Sequence, residues 1–114
     1  MRVIIFGLDC ATPQLVFDKF KDELPNISQL IGTGIYAPMK STIPPITCPA
    51  WMSMFTARSP GELGCYGFRS RKPNSYYDIQ IANSYSIPEP PIWEILGKSD
   101  KKVIVMGVPQ TYPV

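Results

Sequence analysis

Asp9 and Thr47 are the two positions whose type and setting could do chemistry in this 114-residue chain. Asp9 directly follows the apolar run Arg2 to Leu8, and a carboxylate at the tip of a strand can hold a divalent cation. Thr47 follows a proline-stiffened approach, Ile43-Pro44-Pro45-Ile46, and precedes Cys48-Pro49-Ala50-Trp51, which has the character of a first helical turn. A hydroxyl delivered to a helix N-terminus can attack an electrophile or bind an anion. Each residue also has a plainer reading. Aspartate after a strand forms turns, and threonine before a helix is a routine N-cap. Taken together, a carboxylate and a hydroxyl so presented point to phosphate-ester chemistry.

The chain contains no histidine. That excludes a Ser-His-Asp triad, a Cys-His dyad and any His-ligated zinc supplied by this chain alone. The cysteines, Cys10, Cys48 and Cys65, form an odd set without a CxxC pair, which reads as free thiols in a reducing, cytoplasmic setting. A net charge of +2 is too small to imply nucleic acid, and Arg69, Arg71 and Lys72 read as a solvated loop. Val3 to Leu8 is too short to span a membrane, and Asp9 interrupts any signal-peptide core. The expectation is a soluble chain with neither nucleic acid nor membrane as partner.

The elements that must position the two residues follow from hydrophobic pattern and punctuation. Arg2 to Leu8 and Lys102 to Val108 are continuous apolar runs rich in β-branched residues, as in strands buried on both faces. Gln14 to Phe20 begins a helix with Leu15, Val16 and Phe20 inward. Pro25 breaks it, Asn26 caps a second helix over Ile27 to Ile31, and Ile35 to Ser41 suits a strand. In the helix after Thr47, the spacing of Trp51, Met54 and Phe55 predicts one buried face, and Pro49 falls where a missing N–H costs little. Arg58 to Asn83 is expected to be loop with a short hairpin. Pro91 opens a last helix, Ile92 to Leu96, closed by Gly97. Two buried strands separated by helical crossovers imply an α/β fold with a parallel sheet. Such a sheet rarely ends at its second core strand, so residues 1–114 read as a single incomplete domain. Its unpaired strands favour self-association or pairing with a missing C-terminal part.

Gly7-Leu8-Asp9, then Pro44-Pro45-Ile46-Thr47-Cys48-Pro49-Ala50-Trp51, then Ser53-Met54-Phe55-Thr56-Ala57-Arg58-Ser59-Pro60-Gly61 resemble the type I phosphodiesterase/nucleotide pyrophosphatase family, part of the alkaline phosphatase superfamily. Trp93-Glu94-Ile95-Leu96 and Lys102 to Pro113 look like the same family. The likeness is collinear over nearly the whole chain and covers the opening part of a longer domain, so the resemblance implies the opening portion of an alkaline-phosphatase-like fold. It also implies two divalent metal ions, usually zinc, with Asp9 as a ligand to one of them. Thr47 would contact the same ion and attack phosphorus in a phosphate ester or nucleotide. Sulfatases place a cysteine in the slot of Thr47. Here Cys48 comes one position late and reads as a small packing residue.

Four positions depart from the family's pattern. Asp9-Cys10 stands for Asp-Gly, Thr56-Ala57 for Thr-Gly and Leu63-Gly64 for His-Gly, while Phe68 falls where eukaryotic members have an oxyanion-binding asparagine. The first two keep small side chains; the last two remove polar groups. The family's remaining aspartate and histidine ligands lie in later sequence, so the resemblance implies a chain inactive by itself. Two alternatives stand beside it: a non-catalytic interaction or scaffold module that kept the fold's opening, and a split enzyme completed by a second chain.

Overall fold

Proline and glycine set most of the element boundaries. The computed structural model describes residues 2–113, and the chain divides into two units, Met1–Lys40 and Ser41–Val114.

In the first unit a π-helical turn, Gln14–Lys19, and a 3-10 turn, Lys21–Glu23, lead into helix α1, Pro25–Thr33. Pro25 separates two helical stretches as expected, the 3-10 turn ending at Glu23 before it, and it also starts the second. Leu24 is the N-cap, and Pro25 occupies the first turn, where its missing N–H has no helical partner to lose. That replaces the expected cap at Asn26. Gly34 closes α1 by donating its N–H to the Leu30 carbonyl at 2.8 Å. The Ser28 hydroxyl reaches back to the Lys21 carbonyl at 2.6 Å, tying α1 to the 3-10 turn. Phe17 and Tyr36 meet edge to face with centroids 5.0 Å apart. Val16 and Phe20 are half-buried as expected of an inward face, but Leu15 is exposed, and no described residue of this unit is fully buried.

The second unit holds the described core. Helix α2 spans Thr47–Thr56 and the single turn α3 spans Pro60–Leu63. Strands β1, Arg69–Arg71, and β2, Ile79–Ile81, form the expected hairpin; helix α4 spans Ile92–Lys98. Cys48 and Met52 from α2 pack with Leu63 and Cys65, and Trp51, Ile87, Trp93 and Val108 close around them. The buried stripe of α2 therefore runs Cys48–Met52, four residues apart, with Trp51 and Phe55 at its margin. Met54 points outward. Cysteine behaves here as a small hydrophobe, which shifts the face from the one the aromatic spacing predicts.

Leu63 enters the core because α3 is fixed at its start. The Glu62 N–H donates to the Ser59 hydroxyl at 3.3 Å, and the Ser59 N–H donates to the Glu62 carboxylate at 2.8 Å. This reciprocal capping box satisfies two donors that a helix start leaves open. The Ser59 N–H, and then the Ser59 hydroxyl, hold the Glu62 carboxyl below its ordinary value.

The architecture is mixed helix and sheet, in keeping with an α/β chain. Among the described residues the ladder is the antiparallel pair β1–β2, and a parallel sheet is not formed. The runs 2–8, 35–41 and 102–108 carry no ladder. A strand exists through its neighbour's N–H and C=O groups, and sequence pattern prepares a segment for pairing without supplying the mate. Most of their side chains stand in solvent accordingly: Phe6 is 85% exposed and Ile104 87%, while Val108 at the end of the last run is half-buried against the core. Among the described residues, no helix is long and apolar enough to cross a membrane.

Candidate active site

The approach to Thr47 is folded onto one carbonyl. The Thr42 hydroxyl donates to the Pro44 carbonyl at 2.8 Å, and the Ile46 N–H donates to the same oxygen at 3.0 Å. With both lone pairs engaged, the direction in which the chain enters α2 is set. Ile46 is extended (φ −114°, ψ 148°), and its carbonyl accepts the first helical hydrogen bond, from the Ala50 N–H at 3.0 Å. Those are the marks of an N-cap. Thr47 is therefore the first helical residue, and the position a capping threonine would take belongs to Ile46, which offers no side-chain acceptor.

Thr47 lies at a boundary. It is half-buried, while Cys48 and Pro49 behind it are buried. Pro49 fits because the first-turn N–H groups of any helix lack intrahelical acceptors. The Cys48 thiol is pushed above its ordinary value, first by burial and then by the nearby Cys65. It stays protonated at neutral pH and packs, which agrees with its reading as a packing residue.

Asp9 sits in the first unit, in an exposed turn. Cys10 after it takes the left-handed conformation, φ 60°. The Thr12 N–H donates to the Cys10 carbonyl at 3.0 Å, and the Cys10 thiol approaches the Asp9 carboxylate at 3.8 Å. Asp9 and Thr47 thus belong to different units, each with its own local frame. Among the described residues no group of three or more His, Cys, Asp or Glu side chains is arranged to hold a metal ion.

Two polar atoms that the sequence did not single out are buried without a partner among the described residues: the Ser53 hydroxyl in α2 and the Gln110 side-chain carbonyl. Gln110 also adopts φ 61° and donates its amide to the Cys65 sulfur at 3.5 Å, so it is anchored on the core. Position after an apolar run was the available sequence signal for Gln110. Ser53 carried none.

The family model for type I phosphodiesterase / nucleotide pyrophosphatase matches residues 3–114. The chain belongs to this family. No curated protein and no solved structure matches it.

Two of the departures from the phosphodiesterase pattern now have a physical meaning. Cys10 and Ala57 stand where the family has glycine, and both are left-handed, at φ 60° and 57°. Ala57 is the C-cap of α2 and donates its N–H to the Ser53 carbonyl at 2.9 Å. A Cβ in that conformation costs roughly 1–2 kcal/mol, against a smaller entropic cost for glycine. Size is conserved at these two positions; backbone ease is not. Ala57→Gly is expected to stabilise the second unit by about 0.5–1 kcal/mol. In urea denaturation this appears as a higher midpoint at unchanged slope; an unchanged or lower midpoint would refute it.

Proposed function

We propose that this chain is the N-terminal part of a metal-dependent phosphodiesterase or nucleotide pyrophosphatase that cleaves phosphate esters with Thr47 as nucleophile. Membership of the family supports the reaction class. The observation that carries the residue assignment is the cap geometry: Ile46, not Thr47, occupies the N-cap. Thr47 therefore stands one position past the N-cap, inside the first turn. In the proposed step the Thr47 oxygen forms a bond to phosphorus as the ester oxygen leaves. Its proton passes to a group other than histidine of this chain, which has none. The opening N–H groups of α2 favour the charge on the phosphoryl oxygens.

Asp9 is proposed as one metal ligand and Thr47 as another, with zinc as the ion. These two donors do not by themselves fit a two-metal centre, since such ions take three or four protein ligands each. The remaining ligands are proposed to lie in the later part of the domain. The runs 2–8 and 102–108 are proposed to join there the parallel sheet of an alkaline-phosphatase-like α/β domain, with self-association as the alternative for the short chain. The three free thiols fit a reducing, cytoplasmic compartment.

The test is hydrolysis of bis(p-nitrophenyl) phosphate with added zinc. The 114-residue chain alone is expected to release no p-nitrophenol above buffer, and the same chain continued through the rest of the family's domain to turn over and to retain metal after gel filtration. Turnover by the short chain would show that its ligand set is sufficient. A long chain that binds zinc but does not hydrolyse the ester would favour the scaffold reading.

A further inference from the structure

The hairpin β1–β2 has two unlike faces. Direct cross-strand partners share a face, and the register pairs Arg69 with Ile81, Ser70 with Gln80 and Arg71 with Ile79. One face therefore carries Ser70 and Gln80, half-buried and joined by a hydrogen bond of 3.0 Å from the Gln80 amide to the Ser70 hydroxyl. The other carries two arginines and two isoleucines, all exposed. The loop continues the pattern with Lys72 and with Tyr76 and Tyr77, both more than four-fifths exposed; the Arg71 guanidinium lies 5.4 Å from the Tyr76 ring centre. Asp78, the acid of the loop, is engaged elsewhere: its carboxylate accepts from the Ser75 hydroxyl at 3.0 Å. None of Arg69, Arg71 and Lys72 is in an ion pair among the described residues.

We infer that this face is a docking surface for an anionic phospholipid bilayer. Cationic side chains beside exposed aliphatic and tyrosine side chains match the water–lipid boundary, where guanidinium meets phosphate and the apolar body enters the acyl region. A three-residue hairpin is too small for a standard protein interface, which needs on the order of 800 Å² from each partner. A bilayer sets no such minimum, because each basic and each apolar side chain adds its own increment. Nucleic acid fits less well. A sheet that reads single strands presents stacking rings at its centre, whereas this one presents Ile79 and Ile81. That no helix among the described residues is long and apolar enough to cross a membrane does not bear on this contact, since surface attachment needs none.

The exposed apolar runs elsewhere in the chain could also adsorb to vesicles, so the test compares variants and lipid charge. The full chain is sedimented with vesicles of phosphatidylcholine alone and of phosphatidylcholine with 30% phosphatidylserine, a composition of roughly physiological surface charge. Binding is expected to require the anionic lipid and to weaken as salt is raised. Arg69→Gln with Arg71→Gln should lower the partition constant about 25-fold, or fivefold per charge. Ile79→Thr with Ile81→Thr, which keeps β-branched strand residues, should lower it about tenfold or more. Circular dichroism and thermal melting of each variant verify folding. Equal binding to both vesicle types, or unchanged binding by either folded double variant, overturns the inference. So does tighter binding to single-stranded DNA that the isoleucine changes leave untouched.

Discussion

Replacing Met52 by alanine is expected to unfold most of the second unit at 37 °C. Met52 is 1% exposed and sits at the centre of the cluster made by Cys48, Leu63 and Cys65. Truncating such a side chain removes its transfer free energy and leaves a cavity, together about 2–5 kcal/mol. Small domains hold on the order of 0.05–0.15 kcal/mol per residue, so the second unit, with its sparse core, has roughly 4 kcal/mol to lose at the low end. The loss is comparable to the whole. Trp51 and Trp93 both pack against the cluster, so their emission reports the transition directly. Met52→Leu, close in volume, should cost less than about 1.5 kcal/mol. Met54→Ala, on the exposed side of the same helix, should stay within about 0.5 kcal/mol of the parent. If Met54→Ala proved as damaging as Met52→Ala, the assignment of the buried face would be wrong.

That pair of residues shows what sequence does and does not determine here. The helix Thr47–Thr56, the hairpin and α4 were legible because their signals are local: proline at a start, glycine near the end of α4, polar residues in the turn. The face of α2 was legible only in part. Trp51 and Phe55 suggested one stripe, and the smaller Cys48 moved it round to Met52. Pro25 was legible as the end of one helical stretch; that it is also the first residue of the next, ahead of Asn26, was not. The runs 2–8 and 102–108 were read as strands of a parallel sheet, a property that resides in partners as much as in the run itself. The strain at Cys10 and Ala57 was invisible in residue size and follows from φ alone.

The candidate site divides in the same way. The identity of Thr47 and its proline approach are sequence facts; that Ile46 takes the cap is a structural one. It takes the N-cap position away from Thr47; the two roles of Thr47 differ in what alanine would do there. A capping threonine replaced by alanine costs about 0.5–2 kcal/mol of stability. A nucleophile in the first turn costs activity instead.

Thr47→Ala, made in a chain that continues through the whole phosphodiesterase domain, is therefore expected to abolish ester hydrolysis while leaving the fold in place. Loss of a covalent nucleophile lowers kcat by on the order of 10⁴-fold or more, equivalent to more than 5 kcal/mol of transition-state stabilisation. Circular dichroism should still report a folded domain, because the Ile46 cap carbonyl and the packed side chains of Cys48 and Met52 remain in the variant. Thr47→Ser restores the hydroxyl and should recover activity to within about 100-fold of the parent, the remainder reflecting the looser rotamer once the γ-methyl is lost. Acid quench during turnover of a ³²P-labelled nucleotide should leave label on the peptide containing Thr47 in the parent and none in Thr47→Ala. If alanine lowers stability as a cap mutant would and activity only in proportion, Thr47 is structural and the nucleophile lies elsewhere. A metal-loaded Thr47→Ala enzyme that still turns over at the parental rate leads to the same conclusion by a shorter route.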